Sequence, residues 1–391
     1  MKTGQVSLAI CMALLVVSNA HAQWSTRGDL RFQVQAFTDN SLTTATQSFN
    51  TSISGSAEFN HDIGENGTLT ISPFFRIDQH DDERTHVDLR EFIYSHSFEN
   101  WELNVGLGKV FWGVAESNNL VDIINQKDAV EGLSPEHKLG QPMINALFLK
   151  DWGEISLYAL PGFRERTFAG SDGRPRGFFA VDTDNAAYES NDEDAHIDFA
   201  ARISGAINEW DLGAHIFHGT ARSPILSFPS FTPFYYQVTQ VGFDVQATLE
   251  SWLLKSESVY RSGKFIDDHA QLVNGFEYSF YSVAESDVDI GVVAEWLFDE
   301  RGDQADTVFQ NDLLIGLRFA LNDEQSSTAL IGIITDLDKG GDVFTAEASR
   351  RLGDKFKLTA EAFVWANADD DPILSQLQQE DYLQLELGYF F

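Results

Sequence analysis

Along most of the chain, apolar and polar residues alternate with a period of two. Leu69, Ile71, Pro73, Phe75 and Ile77 share one parity, with Thr68, Thr70, Ser72, Arg76 and Asp78 on the other. Ile197, Phe199, Ala201, Ile203 and Ile207 oppose Asp198, Arg202 and Ser204. Val288, Ile290, Val292, Ala294, Trp296 and Phe298 oppose Asp289, Gly291 and Glu295; Phe356, Leu358, Ala360, Ala362 and Val364 oppose Lys357, Thr359 and Glu361. Successive side chains of a strand point to opposite faces, and segments of about ten residues with one apolar and one polar face are the signature of strands that cross a bilayer as a barrel. Clusters of Gly, Asn, Asp and Pro divide the chain into strands near 27–38, 49–60, 67–78, 86–97, 102–111, 142–150, 154–163, 195–207, 210–219, 235–248, 251–261, 270–282, 287–299, 308–321, 327–336, 342–351, 356–366 and 379–391. That makes eighteen strands, with sixteen as the alternative count.

The connections form two classes. Lys150–Gly153, Asn208-Glu209, Asn322–Gln325 and Leu352–Asp354 are short, whereas 112–141, 164–194, 220–234 and 367–378 are long or highly polar. Short turns alternating with long loops predict an all-β fold, a transmembrane antiparallel up-and-down β-barrel with both termini on the periplasmic side. The two ends of the chain agree. Lys2, an apolar core from Leu8 to Val17 and the small-residue site Ala20-His21-Ala22 read as a cleavable secretory signal over 1–22, leaving 23–391 as the barrel. Leu8-Ala9-Ile10-Cys11 mimics a lipoprotein box, but it lies inside the apolar core and has bulky Ile10 before the cysteine. In Leu383-Gln384-Leu385-Glu386-Leu387-Gly388-Tyr389-Phe390-Phe391 the odd positions are apolar and the last is aromatic. This resembles the C-terminal strand recognised by the bacterial barrel-assembly machinery, which makes that machinery an expected partner and the outer membrane the expected address.

Composition narrows the classes further. The formal net charge is −34 with 60 Asp and Glu against 26 Lys and Arg, which argues against nucleic acid as a partner. Removing residues 1–22 takes away Lys2 and Cys11 and no carboxylate, so disulfide and thiol chemistry are excluded from the remainder. No later segment approaches the roughly 18 apolar residues of a transmembrane helix. Aromatics make up 13% of the chain, enough for it to fold despite its acidity. Trp24, Trp101, Trp152, Trp210, Trp252, Trp296 and Trp365 fall mostly near strand ends, where amphipathic rings suit the membrane–water interfaces, with packing in a core as the plain alternative.

Placing the apolar parity toward lipid puts Arg31, Glu58, Arg76, Asp78, Arg90, Glu102, Asp198, Arg202, Asp211, Asp244, Glu277, Asp289, Glu295, Arg318, Glu347, Lys357, Glu361 and Glu386 in the lumen. Twelve carboxylates against six basic groups predict a wet lumen with a negative potential, favouring cations. Pairing that merely keeps the wall hydrated is the alternative. Glu91 breaks the pattern by falling on the lipid face.

The segment from Lys109 to Gly162 stands apart. It reads Lys109-Val110-Phe111-Trp112-Gly113-Val114-Ala115-Glu116-Ser117-Asn118-Asn119-Leu120, then Val121-Asp122-Ile123-Ile124-Asn125-Gln126-Lys127-Asp128, and later Gly140-Gln141-Pro142-Met143. This resembles an incompletely characterised family of large porin-like outer-membrane proteins, in which a Trp-Gly-Glu-Ser stretch is followed by an Asn-Pro-x-Asp turn, then Pro-Met and the next strand. Here Val114-Ala115 interrupts the first motif and Gln126 stands where the family has proline. The resemblance implies a barrel that transports, with no established substrate. Residues 112–141 are expected either as a loop folded into the pore, with a short helix at Asn119–Ile124, or as a loop on the rim. Folded inward, Glu116, Asp122, Asn125 and Asp128 narrow the lumen. The next loop carries Arg164, Arg166, Arg174 and Arg176, for which pairing with nearby Asp182, Asp184, Glu189, Asp192, Glu193 and Asp194 is the expected arrangement. Opposing the acidic loop and binding lipopolysaccharide phosphates are the alternatives. Together with Arg202, Asp244, Glu295 and Arg318 on the strands, Glu116, Asp122, Asn125, Asp128, Arg164 and Arg166 are the candidate pore residues.

No metal-ligating or cofactor-binding motif is present among the ten histidines and the rest of the chain. Asp78–Glu83, Asp299–Asp306 and Asp369–Asp371 are rich enough in carboxylates for calcium but lack EF-hand spacing, and solvated loops are expected there. His218 with Ser223 is the nearest approach to a base and nucleophile, without an orienting acid at a telling spacing, so no enzyme is expected. The leading function is passive diffusion of small hydrophilic solutes with a weak preference for cations, in contact with outer-membrane lipids and lipopolysaccharide. A carrier of hydrophobic molecules, suggested by Pro224-Ile225-Leu226-Ser227-Phe228-Pro229-Ser230-Phe231-Thr232-Pro233-Phe234, is the alternative, followed by a lipid hydrolase and a plugged structural or adhesive barrel.

Overall fold

The computed structural model describes residues 24–227, 231–305 and 307–391. The expected signal segment therefore lies outside the described residues. In chain order the strands are β1 (Trp24–Phe37), β2 (Phe49–Ile63), β3 (Gly67–Asp78), β4 (His86–Ser97), β5 (Trp101–Gly108), β6 (Gln141–Lys150) and β7 (Gly153–Pro161). They continue with β8 (Ala187–Tyr188), β9 (Ile197–Ile207), β10 (Trp210–Thr220), β11 (Ile225–Ser227), β12 (Thr232–Tyr235), β13 (Gln237–Leu249) and β14 (Trp252–Gly263). The last seven are β15 (Ile266–Phe280), β16 (Asp289–Asp299), β17 (Asn311–Ala320), β18 (Thr328–Asp336), β19 (Asp342–Leu352), β20 (Phe356–Ala366) and β21 (Tyr382–Phe390).

Eighteen of these, all but β8, β11 and β12, form one sheet in which each strand pairs antiparallel with its neighbours in the chain. β1 pairs β21 from Asp29↔Phe390 to Phe37↔Tyr382, so the sheet closes on itself and has no free edge. The seam continues at its end, where Gly28 and Phe391 exchange backbone hydrogen bonds of 3.0 Å in both directions. Closure is the general solution for strands in lipid, because a membrane interior offers no water to an unpaired edge. Leu30, Phe32, Ile53, Phe199, Phe243, Ile315, Leu358 and Leu385 point outward and exposed, which gives the barrel an apolar exterior. Outside β4, the parity read from the sequence for these strands is the parity observed.

One end of the barrel carries short turns such as 64–66, 151–152 and 353–355 together with the first and last strand ends, and the other carries the long connections. Trp24, Trp101, Trp152, Trp210 and Trp252 all sit at the short-turn end, as an interfacial girdle requires. Trp296 and Trp365 lie toward the long-loop end, Trp296 partly exposed and Trp365 buried against Phe37, Leu374 and Tyr382.

Two local departures have identifiable causes. Glu91 does not face lipid. Ser72 pairs Glu91 while Pro73 pairs Leu89, so Arg90 is an extra residue, and this β-bulge in β4 reverses the parity downstream of it. Arg90 and Glu91 consequently both turn inward, Arg90 to Asp128 and Glu91 to the hydroxyl of Ser72. In the second case β15 begins at Ile266 rather than 270, because β14 and β15 continue beyond the apolar belt into a two-residue turn at Lys264-Phe265. Asp267, Asp268 and His269 read as loop by their polarity, but strands that project into water need no apolar face.

Candidate functional site

The connection 109–140 between β5 and β6 is folded into the lumen. Its apolar residues Trp112, Leu120, Val121, Ile123 and Ile124 are buried against Tyr158, Leu160, Phe217, Val238, Val259, Val273 and Leu297, which line the inner wall from β7 to β16. This part of the lumen is therefore filled by apolar side chains, where a wet lumen was expected. The signal was present in the sequence: in Val292-Val293 and Trp296-Leu297-Phe298 both parities are apolar, so one face of β16 meets lipid and the other needs a second apolar partner. The expected helix around Asn119–Ile124 does not form: Leu120 and Val121 make a turn and the residues on either side are irregular. β-Branched Val121, Ile123 and Ile124 are weak helix formers. The Asp122 carboxylate accepts instead from the backbone N–H groups of Trp112 at 2.7 Å and Gly113 at 3.2 Å, folding the segment back on itself.

Two glutamates of the far wall fasten the loop. Glu257 on β14 accepts from the backbone amides of Val114 at 2.6 Å, Ala115 at 2.9 Å and Val121 at 3.2 Å. Glu295 on β16 accepts from the amides of Glu116 at 2.7 Å and Ser117 at 2.8 Å and from the Ser117 hydroxyl. Both side chains are almost wholly buried, at 0% and 1% exposed. A buried carboxylate is tolerated where several donors converge on it, and a loop with no regular structure has free amides to offer. Glu295 is a predicted site residue. Glu257 was missed; it shares the inward parity of Lys255 and Arg261, but nothing local marks a carboxylate that will be read by amides some 140 residues away.

The other predicted residues separate into three groups. Glu116 lies at the tip of the loop between Lys255 (3.5 Å) and Arg318 (2.6 Å), and Arg318 also reaches Glu277 at 3.1 Å. These residues form a charged contact between loop and wall. Asp122, Asn125 and Asp128 do not present acceptors to an aperture. Asp122 takes the Lys138 ammonium at 2.5 Å, Asn125 donates to the carbonyls of Gly108 and Leu139, and Asp128 binds Arg90 at 2.5 Å and the Thr167 hydroxyl at 2.6 Å. They hold the shape of the loop. On the wall, Arg202 forms a two-pronged bond with Asp244 at 2.6 and 2.8 Å and lies 5.1 Å over the Trp112 ring.

The arginine-rich loop differs from the local pairing expected for it. Arg164 binds Asp88 of β4 at 2.8 Å, and Arg174 binds Glu380 of the 367–381 loop at 2.7 Å. Arg176 donates to the Thr44 hydroxyl and the carbonyls of Ser171, Gly177 and Phe178. The backbone amide of Arg166 donates to the Tyr235 hydroxyl at 3.0 Å, and its guanidinium stands over the Phe168 ring. The acidic residues 182–194 are exposed or half-buried, able to keep their hydration, whereas these cations are used where burial would otherwise leave a carboxylate unpaired. Loops 109–140 and 162–196 are thus stitched to each other and to the wall.

Glu131 completes the fastening. Arg76 of β3 forks onto its carboxylate at 3.0 and 2.7 Å, and Arg84 donates to the neighbouring Val130 carbonyl at 3.1 Å. Burial by itself would raise the Glu131 pKa, but the charge and hydrogen bonds of Arg76, with Arg84 and His86 beyond, bring it below the ordinary value. The folded state therefore holds this proton less tightly than the unfolded chain, so the contribution is complete above the unfolded value of about 4.3 and is lost as pH falls through the lower folded value. Acidification below about pH 4 is expected to loosen the loop. Glu131→Gln should show the same loosening already at pH 7, and hydrogen exchange of the 109–140 amides against pH measures both.

Among the described residues, His86, Asp128 and Glu131 bring three metal-type ligand atoms within 4.8 Å of one another. Arg76 and Arg90 already occupy the two carboxylates, which disfavours a cation there. His218 shares its Nδ1 with the Thr239 hydroxyl at 2.9 Å rather than with Ser223, so the base–nucleophile arrangement does not assemble. The apolar 224–234 segment forms the β11–β12 hairpin with β8 alongside; Ile225 and Phe234 pack onto the buried cluster beneath the loops and Phe231 stacks on Phe179. Residues 228–230 lie outside the described residues. At the short-turn end a cavity of about 410 Å³ opens between β1, β19, β20 and β21, where charged Arg31, Lys355, Lys357 and Glu386 share the lining with Phe356 and Phe390.

No family model matches the sequence, and a search of curated proteins finds no match. Solved structures do share the architecture. OccAB3 of Acinetobacter baumannii superposes with a TM-score of 0.57 at 10% identity, over 94% of this chain and 99% of that one. OccD3 (OpdP) of Pseudomonas aeruginosa gives 0.55 at 8% identity, over 95% and 93%. Wzi of Escherichia coli, an outer-membrane protein involved in group 1 capsule assembly and described as a carbohydrate-binding β-barrel, gives 0.52 at 10% identity, over 92% and 83%. At such identities the likeness is one of fold: this chain is a closed antiparallel eighteen-stranded β-barrel of the kind found in outer-membrane channels.

Proposed function

We propose that the protein is an outer-membrane channel for passive diffusion of small hydrophilic solutes, with a weak preference for cations, whose aperture is set by the 109–140 loop. The observation that carries this reading is the seat of that loop: it lies inside a barrel of eighteen strands, wide enough for an aqueous path, and is fastened to the far wall by Glu257 and Glu295. A loop placed there narrows a conduit, whereas a purely structural barrel needs no such element. The apolar exterior fits outer-membrane lipid, the C-terminal strand fits the assembly machinery, and the carboxylate excess on inward strand positions favours cations. Among the described residues no catalytic arrangement supports an enzyme, and Ile225 and Phe234 pack onto the buried cluster under the loops.

Planar-bilayer recording of the purified protein tests the proposal. Discrete conductance steps are expected, with a reversal potential in a salt gradient displaced toward the cation side. Absence of conductance would refute the channel, and an anion-side reversal would refute the selectivity. Fractionation of the producing cell should recover the protein with the outer membrane.

A further inference from the structure

Arginines along this barrel are matched to carboxylates. Arg27 has Glu58, Arg76 has Glu131, Arg84 has Asp78, Arg174 has Glu380 and Arg222 has Asp198. With 60 acidic against 26 basic side chains, acidic partners are plentiful. Two cations at the short-turn end depart from this. Arg351 near the end of β19 and Lys357 near the start of β20 are direct partners across the ladder, so their side chains share a face. Lys357 also stands opposite Gly388 of β21, and Gly388 opposite Arg31 of β1, which makes one row across four strands. The row faces the lumen, because the alternate residues Leu30, Leu352, Leu358 and Leu387 are exposed on the outer surface. Neither Arg351 nor Lys357 has a side-chain hydrogen bond or ion pair among the described residues. Arg350, next in the chain and on the opposite face, does reach a carboxylate, that of Asp323 at 3.8 Å.

A second observation is the cavity over this row, which Arg31, Arg351, Lys357 and Thr359 line together with the Phe390 ring. Gly388 leaves room for it: a Cβ there would stand 3.0 Å from the Phe390 ring and 3.8 Å from Cγ of Arg31. Arg31 closes one side, held by Asp29 at 2.7 Å and Glu386 at 3.3 Å. Thr359, the next inward position of β20, pairs Ser349 and Glu386 across the ladder and brings a hydroxyl to the same face. Side chains directly opposite in a ladder lie about 5 Å apart at Cβ, and like charges there repel. An anion held between Arg351 and Lys357 would turn that repulsion into attraction.

We propose that Arg351 and Lys357 bind the phosphate group of a water-soluble solute in this cavity. A guanidinium presents a planar fork of two parallel N–H donors, and an ammonium a compact charge with three rotatable ones. A phosphate has oxygens directed to several sides, enough for the fork, the ammonium and the Thr359 hydroxyl at once. A carboxylate has only two oxygens, which the fork alone takes up. The volume of about 410 Å³ lies in the range of small-molecule sites, and the Phe390 ring offers an apolar wall to the remainder of the solute. The row faces the lumen rather than lipid, which favours a dissolved phosphate over a lipid head group. Spacing along the chain does not betray such a site, because only strand register sets Arg351, Lys357 and Arg31 in line. The cavity opens at the short-turn end, so the inference stands whether or not the barrel conducts.

The test uses the purified full-length protein in a non-ionic detergent, titrated with inorganic phosphate by calorimetry at constant ionic strength, with acetate in parallel. One saturable site is expected, with a Kd on the order of 1 mM or tighter for phosphate and about tenfold weaker for acetate. Arg351→Gln with Lys357→Gln should weaken phosphate by about tenfold or more, whereas Arg350→Gln, on the outer face of the same strand, should leave it unchanged. The double variant removes a like-charged pair and should fold as the unaltered protein does. Should it fail to fold, Lys357→Gln alone, with the phosphate-against-acetate comparison on the unaltered protein, decides the same question. No saturable phosphate binding, acetate bound as tightly as phosphate, or binding undiminished in the variants would overturn the proposal. Phosphatidylglycerol added in mixed micelles separates the two sources of phosphate: lipid retained through Arg351 and Lys357 that inorganic phosphate fails to displace would overturn the assignment to a dissolved solute.

Discussion

Glu257→Ala combined with Glu295→Ala should convert a constricted, quiet channel into a wider and noisier one. Between them the two carboxylates accept five backbone amides and one hydroxyl of the 109–140 loop. Hydrogen bonds to a charged group are worth about 1.5–3 kcal/mol each, and a donor left buried without a partner costs a further ~1–3 kcal/mol. With both acceptors removed, the amides of Val114 to Ser117 and Val121 must find water, which is available only if the tip leaves the wall. The strand ladders are untouched, so β content and heat-modifiable migration should stay as in the unaltered protein. The expected conductance gain is on the order of twofold or more, since an eighteen-stranded lumen freed of its loop is wide. Unchanged conductance and noise in the double variant would show that the loop does not set the aperture. Glu295→Gln alone should act partway, because Glu116 and Ser117 donate to different oxygens and the single amide oxygen can keep only one of these two sets of bonds.

Arg174→Met should cost the loop end about 3–5 kcal/mol, the usual cost of stranding one member of a buried ion pair. Its guanidinium and the Glu380 carboxylate are 0% and 1% exposed, and Arg174 also donates to the carbonyls of Gln47, Asp39 and Gln379 while lying 4.1 Å over the Phe37 ring. One side chain thus joins loop 162–196 to loops 38–48 and 367–381. The substitution should expose all three to protease together and lower the unfolding midpoint. Adding Glu380→Gln should restore much of the loss by removing the uncompensated charge. If the single variant resists protease as the unaltered protein does, the joint is not what holds these loops.

The strand boundaries were legible in the sequence to within a few residues because lipid is a stringent solvent. A residue of β20 or β21 that faces hydrocarbon must be apolar, and its neighbour faces the interior, so Leu385, Leu387 and Glu386 declare their sides without reference to any other part of the chain. Where the alternation failed, the failure was informative. Glu91 marked a bulge, and the doubly apolar stretch at Val292–Phe298 marked the wall against which the loop is buried.

The partners of Asp122, Asp128 and Arg174 were not legible. In an aqueous loop a carboxylate pairs with the nearest cation along the chain, and by that rule residues 182–194 pair with the arginines beside them. Inside a closed barrel, proximity is set by the curvature of the wall instead. Arg174 meets Glu380 across 206 residues, and Glu116 meets Arg318 across 202.

What the sequence determined by itself is the barrel: its strands, its faces, its closing strand at Phe390 and Phe391, and its outward apolar surface. These follow from a period-two pattern read against one solvent, which is a local rule. Tertiary structure alone decided that residues 109–140 turn inward, that Glu257 and Glu295 receive them, and that Arg174 meets Glu380. Those outcomes depend on which buried donors and acceptors the closed wall brings opposite one another, and no stretch of sequence carries that information.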